Sequence, residues 1–263
     1  MTLFSDSSHL SLFCALEGKE VWRSVAISGN TLAAGAASGS VSFWDIRSGA
    51  HGVLRDYFSE DVTQLTFHPV SRNVLFAGSY DGLICQVDSS VELGDDSVLD
   101  VLNVGTSVSK MGIFGTQSQL IYTLAPTEQL QIWNLKTSAK VADFGFELLS
   151  LLSELTGGET VNYIVDCKYD AAHDTLLLLA GGFNGTIYVF ECLDDNHFKY
   201  LFKLNGHTAI VRDAWLHPQG HIAVTVGEDS MLFQWAESGA NASSASKPSL
   251  APSFSNSQRN KPY

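Results

Sequence analysis

One register recurs five times along the 263 residues, and it constrains the fold more than any other feature of the chain. Its anchors are Ser38, Asp81, Thr127, Asn184 and Asp229, residue types that favour or cap turns. Three residues beyond each anchor stands an aliphatic side chain: Val41, Ile84, Leu130, Ile187 and Leu232. Six beyond stands an apolar one, Trp44, Val87, Trp133, Phe190 or Trp235. Glycine precedes the anchor by three in three copies, at Gly35, Gly78 and Gly181. The anchors are 43, 46, 57 and 45 residues apart. Units of this period cannot cover their own apolar faces and stack on their neighbours instead.

The copy from Gly206 to Trp235 shows what one unit contains. An apolar run from Ile210 to Trp215, a turn at His217-Pro218-Gln219-Gly220, a second run from Ile222 to Val226 and a third ending on Trp235 read as three short strands. The first copy places strands over Val21–Ile27, Thr31–Ala36 and Val41–Ile46, with a linking strand over Val53–Phe58. The second places them over Val62–Phe67, Val74–Ala77 and Leu83–Val87, with a linking strand over Val98–Val104. The third, Ser109–Asn134, replaces the usual turn with Pro126-Thr127-Glu128. The fourth runs through Tyr163–Tyr169, Thr175–Ala180 and Thr186–Phe190, its Asn184-Gly185 pair suited to a tight hairpin, and Phe198–Leu204 links it onward. Leu10–Leu16 is a further candidate strand. The long spacing holds Phe146–Leu155, whose apolar residues at 148, 151, 152 and 155 predict one short helix near 146–155, stopped by Gly157-Gly158. That helix either covers a sheet edge or docks a partner.

A Gly-His pair, an Asp in the second turn and a closing Trp at this period resemble the WD-repeat β-propeller family, an all-β fold of four-stranded blades. The phrases EDVTQLTFHP (Glu60–Pro69), GSYDGL (Gly78–Leu83), DTLLLLAGGFNGTIYVFEC (Asp174–Cys192) and GHTAIVRDAW (Gly206–Trp215) are similar to those of WD repeat-containing protein 89 and its relatives. The resemblance covers roughly residues 30 to 236, and it implies about two further N-terminal repeats and seven blades in such relatives. Five blades are recognisable here, at about 18–58, 59–104, 105–144, 160–204 and 206–236, making 1–236 the propeller domain. Either the N-terminal strand completes the fifth blade in a closed five-bladed ring, or the chain follows an incomplete seven-bladed plan, which is the favoured expectation. From residue 237 the composition turns to Ser, Ala, Pro and Asn, so 237–263 is expected to be a disordered tail.

The chain has 15 Lys and Arg against 28 Asp and Glu, a net charge of −13. That balance argues against a phosphate-backbone partner. Cys14, Cys85, Cys167 and Cys192 lack the spacing of a zinc or redox site and read as reduced, small apolar residues. The first 18 residues lack a basic start, and no apolar stretch reaches bilayer-spanning length, so neither a signal peptide nor a membrane span is expected. The expected compartment is cytoplasmic or nuclear.

His207, Thr225, Asp229 and Trp235 match the family's hydrogen-bonded tetrad, which implies a fold clamp rather than a catalytic group. His217 and His221 flank a turn with no third ligand in view, so no metal is expected. Gly181–Gly185 leads from strand to strand and reads as a hairpin, not a phosphate cradle. Asp61, Asp166 and Asp213 fall near the starts of first strands, at the channel mouth, where carboxylate pairs could serve a hydrolase. Trp44-Asp45-Ile46-Arg47 resembles the WD-x-R ending of substrate receptors for cullin-four ubiquitin ligases, which implies Trp44, Asp45 and Arg47 as adaptor contacts. No catalytic residue and no cofactor is expected. The expected function is a non-enzymatic scaffold that binds protein partners on its top face, through Trp22, Thr63, Tyr80, Phe183, Arg212 and Glu228. The ligase receptor is the alternative and the propeller hydrolase a lesser one.

Overall fold

The computed structural model describes residues 20–193, 197–217 and 222–236. It is nearly all β: five antiparallel sheets form the blades of a five-bladed propeller ring. Blade 1 holds β1 (Trp22–Ser28), β2 (Thr31–Ala36), β3 (Val41–Asp45) and β4 (His51–Leu54). Blade 2 holds β5 (Val62–Phe67), β6 (Val74–Ser79), β7 (Leu83–Asp88) and β8 (Val98–Asn103). Blade 3 comprises β9 (Lys110–Phe114), β10 (Leu120–Leu124), β11 (Leu130–Asn134) and β12 (Ala139–Phe144). Blade 4 comprises β13 (Tyr163–Asp170), β14 (Thr175–Gly181), β15 (Ile187–Leu193) and β16 (His197–Leu204). Blade 5 has three strands among the described residues, β17 (Val211–Leu216), β18 (Ile222–Gly227) and β19 (Leu232–Ala236). The candidate strand Leu10–Leu16 and the tail 237–263 lie outside the described residues.

Strand order follows chain order in every sheet, and from blade 1 through to blade 5 the first strand of one blade packs on the first strand of the next. The linking strand of blade 1 is β4, beginning at His51 rather than Val53, because Trp44 and His51 pair directly across the hairpin.

The repeated residues acquire physical reasons. The bulky residue six beyond the anchor faces the preceding blade. Val87 is buried in the cluster shared by blades 1 and 2, Trp133 in that of blades 2 and 3, and Phe190 in that of blades 3 and 4. The glycine three before the anchor lets a neighbour approach. A Cβ at Gly35 would meet Val62 Cγ1 of blade 2 at 2.6 Å, and one at Gly78 would meet Val108 and Met111 of blade 3 at 3.0 Å. Gly181 makes room instead for the Tyr163 ring, whose hydroxyl accepts the Val211 amide of blade 5 at 2.7 Å. The residue after the anchor is left-handed in four blades, at Gly39, Gly82, Gly185 and Ser230, and in blade 3 at Glu128. The three glycines press on the backbone arriving from the fourth strand: a Cβ at Gly185 would lie 2.3 Å from the His207 carbonyl oxygen.

The insertion forms α1 (Leu148–Leu155), two residues shorter at its start than the sequence predicts. Leu148 and Leu152 are buried in the largest apolar cluster, with Phe144, Phe190 and Phe198. The helix therefore covers an edge of blades 3 and 4, and Phe146 before it stands in solvent.

The seam between blades 5 and 1 differs from the other four boundaries. No packing of β1 on β17 comparable to theirs occurs among the described residues. Val25 and Ile27 of blade 1 are 65% and 63% exposed, and Trp215 and Leu232 of blade 5 are 52% and 63% exposed. On the blade 1 side Trp22 meets Trp44 edge-on at 5.7 Å, and Trp44 stacks on His51 at 4.8 Å.

Gly185→Ala puts a methyl group against a backbone carbonyl at a left-handed position. It is expected to lower unfolding free energy by about 2 kcal/mol or more. Denaturant melts checked against Gly29→Ala, where a Cβ meets nothing within 4 Å, separate the clash from the conformational cost alone.

Candidate functional site

The top face is formed by the segments that lead into each first strand and by the turns that carry the anchors. Asp81, Asn184 and Asp229 cap their own turns, and Ser38, Asp81 and Asp229 reach the incoming segment. The Asp81 carboxylate accepts the Leu83 amide at 3.0 Å and the Ser59 amide at 2.7 Å. Asn184 Oδ1 accepts the Thr186 amide at 3.1 Å, and Ser38 donates its hydroxyl to Glu20 at 2.8 Å. Blade 3 departs from this pattern: Thr127 Oγ1 accepts from the Gln129 side chain at 2.9 Å.

Blade 5 carries the fullest version. Asp229 accepts the amides of Thr208 at 2.9 Å and Met231 at 3.0 Å, and lies 2.9 Å from His207 Nδ1. His207 Nε2 lies 2.9 Å from Thr225 Oγ1, which accepts the Trp235 indole N–H at 2.9 Å. A carboxylate can only accept, so Nδ1 carries the proton and Nε2 receives the Thr225 hydroxyl. Every donor in this buried chain then has an acceptor. Burial pushes the Asp229 carboxyl up, but the Thr208 and Met231 amides and the His207 ring together bring it below the ordinary value.

The WD domain, G-beta repeat model matches residues 51–88 and 198–236. The chain is a WD-repeat β-propeller. It is 37% identical over 177 residues to the WD repeat-containing protein 89 homolog of Dictyostelium discoideum, covering 67% of this chain and 49% of that protein. It is 30% identical over 222 residues to the WD repeat-containing protein GTS1 of Arabidopsis thaliana, covering 78% of this chain and 55% of that one. The chain thus spans about half the length of these curated relatives. Among solved structures, a chain from a crystal structure of the mitotic checkpoint complex matches with a TM-score of 0.56 at 17% identity, over 89% of this chain and 82% of that chain. That likeness concerns the fold alone.

The six residues expected on the top face of this WD-repeat propeller divide into two sets. Tyr80 is 43% exposed and Phe183 63% exposed, each on the residue before its anchor. The Tyr80 amide is held by the Asp61 carbonyl at 3.0 Å, and the Phe183 amide by Asn162 Oδ1 at 3.0 Å. Arg212 and Glu228 are exposed and paired with one another. Thr63 is engaged otherwise: its hydroxyl reaches the carbonyls of Gly78 at 3.1 Å and Val108 at 2.6 Å, tying blade 2 to blade 3. Trp22 turns to the seam, against Trp44.

The three carboxylates expected at the channel mouth each face a cation. Asp61 pairs with Arg23 at 2.6 Å. Asp166 is buried and pairs with Lys168 at 2.7 Å, while Asp213 lies 3.3 Å from Lys110. Lys110 also donates to the Val165 carbonyl at 2.9 Å and the Arg212 carbonyl at 3.2 Å, so one ammonium joins blades 3, 4 and 5. Tyr122 completes the network, its hydroxyl 3.1 Å from Asp166 and 2.7 Å from the Cys167 carbonyl. Lys110 and Tyr122 carry no local motif, and sequence reading misses both.

In the WD-x-R segment, Asp45 Oδ1 accepts the amides of Arg47 at 2.9 Å and Ser48 at 2.8 Å. Those bonds lower the Asp45 carboxyl. Arg47 is exposed on the opposite face, and its guanidinium has no hydrogen-bond or ion-pair partner among the described residues. His217 stands edge-on to Trp215, and His221 lies outside the described residues. Cys85 and Cys167 are buried, and burial pushes the Cys85 thiol up to about 12.

Thr225→Val keeps the shape of its side chain but strips His207 and Trp235 of their shared partner. It is expected to cost about 1–3 kcal/mol, with Thr225→Ser near wild type. A carboxyl held below its ordinary value contributes stability that is complete above the unfolded-state pKa of about 4 and lost as pH falls through the lower folded value. Asp229→Asn should therefore flatten the acid limb of a stability–pH curve below about pH 4.

Proposed function

We propose that the chain is a non-enzymatic scaffold that docks protein partners on the top face, with Tyr80 and Phe183 as anchors. One observation carries this reading. Two large aromatic side chains occupy equivalent positions in blades 2 and 4, both stand in solvent, and both have their backbone amides fixed by a neighbouring segment. Exposing aromatic surface sacrifices burial that a core position would gain. Rigid aromatic side chains lose little entropy on binding, and they dominate the energetics of many interfaces. Arg212 and Glu228 extend the same surface with charge. WD-repeat propellers generally bind protein partners, which supports the assignment.

A second reading has an observation of its own. Arg47 is exposed, with no hydrogen-bond or ion-pair partner for its guanidinium among the described residues, on a turn whose amides Asp45 accepts, which leaves it open to an adaptor contact.

Affinity purification from cells separates the two. Under the top-face reading, the Tyr80→Ala, Phe183→Ala double variant loses most co-purifying proteins and Arg47→Ala keeps them. Loss of the partner set on Arg47→Ala alone, with an intact melting temperature, would favour the ligase-receptor reading instead.

A further inference from the structure

Phe183 belongs to a built corner of the top face. Its ring stacks on Tyr163, with centroids 6.1 Å apart and planes inclined by 19°. Tyr163 is itself fixed, its ring seated over Gly181 and its hydroxyl bound to the Val211 amide. The face of Phe183 turned away from Tyr163 is left to solvent. Beside this pair, the turn of blade 3 brings Glu128, whose Oε2 accepts the amide of Ile164, the residue after Tyr163, at 2.5 Å.

Glu128 is an unusual choice on three counts. It follows the anchor Thr127, the place that Gly39, Gly82 and Gly185 fill in three other blades and Ser230 in the fifth, and it holds φ +60°. A non-glycine residue in that region is strained by on the order of 1–3 kcal/mol, and such strain gathers at functional positions. It is half-buried, and it has no ion-pair partner among the described residues. Burial pushes its carboxyl above the ordinary value, with the Ile164 amide opposing. On the other side of Tyr163, Arg212 pairs with Glu228, so one guanidinium is already accommodated at this corner.

An aromatic face carries negative quadrupole charge, and an uncompensated carboxylate beside it adds to the same potential. Apolar partners would leave Glu128 unpaired in a drier setting, and acidic ones would be repelled. We propose that this corner receives an arginine or lysine side chain of a partner protein, with Phe183 as the platform beneath the cation and Glu128 as its counter-charge. The net charge of −13 favours the approach of a basic segment over long range. This inference rests on the top face being the docking surface, and it adds the chemistry of what docks.

The test is selection of a random peptide library, displayed on phage, against the purified full chain. The expected result is enrichment of peptides bearing Arg or Lys next to an apolar residue. A selected peptide should bind Phe183→Ala and Glu128→Gln about tenfold more weakly than wild type, a loss within the range of one cation–π contact or one ion pair. Both variants should keep the wild-type melting temperature, since Phe183 is solvent-facing and Gln retains an acceptor for the Ile164 amide. Enriched peptides that are neutral or acidic, yet still lose affinity on Phe183→Ala, would overturn the cationic assignment and leave the docking surface standing. Failure to enrich any peptide, or enrichment of peptides that ignore both Phe183→Ala and Tyr80→Ala, would overturn the docking surface and this inference with it.

Discussion

A blade of this size has two apolar faces and no means of covering either alone. Everything else in the molecule answers that constraint. In blades 2, 3 and 4 the bulky residue six beyond the anchor, Val87, Trp133 or Phe190, is the part of one blade that enters the gap behind it. Gly35 and Gly78, three before their anchors, let the next sheet approach closely, and Gly181 admits the Tyr163 ring that reaches blade 5. The left-handed glycines after the anchor let the arriving chain cross over the turn without a clash. Side-chain hydrogen bonds of Thr63, Tyr163 and Lys110 then tie one blade to the next.

The turn anchors show that this solution tolerates substitution of its parts. Blade 5 uses a buried relay from Trp235 through Thr225 and His207 to Asp229. Blade 2 reaches the same end with a carboxylate and two amides, and blade 4 with an amide oxygen. What is common to them is a short acceptor that satisfies backbone donors at a tight turn. The imidazole is one way to complete that acceptor's surroundings, and its partnership with a carboxylate serves stability here.

Local rules made the propeller legible before any coordinates. Turn residues, apolar side chains three and six beyond them, and their recurrence along the chain located the five blades. The boundaries shifted where a cross-strand pair outweighed them, as Trp44 and His51 did in starting β4 early. The top face was legible only in part. Tyr80 and Phe183 could be placed by their step from the anchor, but Thr63 and Trp22 share that nominal location and are used for other contacts. Nothing local announces that Lys110 would meet Arg212 and Asp213, about a hundred residues away in sequence. The Glu128 carboxylate was hidden for the opposite reason: a degenerate turn reads as a weak repeat, when it is the place where the repeat departs from its own pattern.

The seam has a thermodynamic corollary. In a stack where each unit leans only on those beside it, interior members are held from two sides and end members from one. Among the described residues, blades 1 and 5 are closely packed by a neighbour on one side only, whereas blades 2, 3 and 4 are packed on both. Val226 marks this difference at the level of a single residue, since it fills the slot where Gly35 and Gly78 admit a neighbour and is itself 38% exposed. The free energy of opening should accordingly fall away from the middle of the array, and, among strands paired on both sides, amide protons of β2 and β18 should exchange ahead of those of β11 and β14.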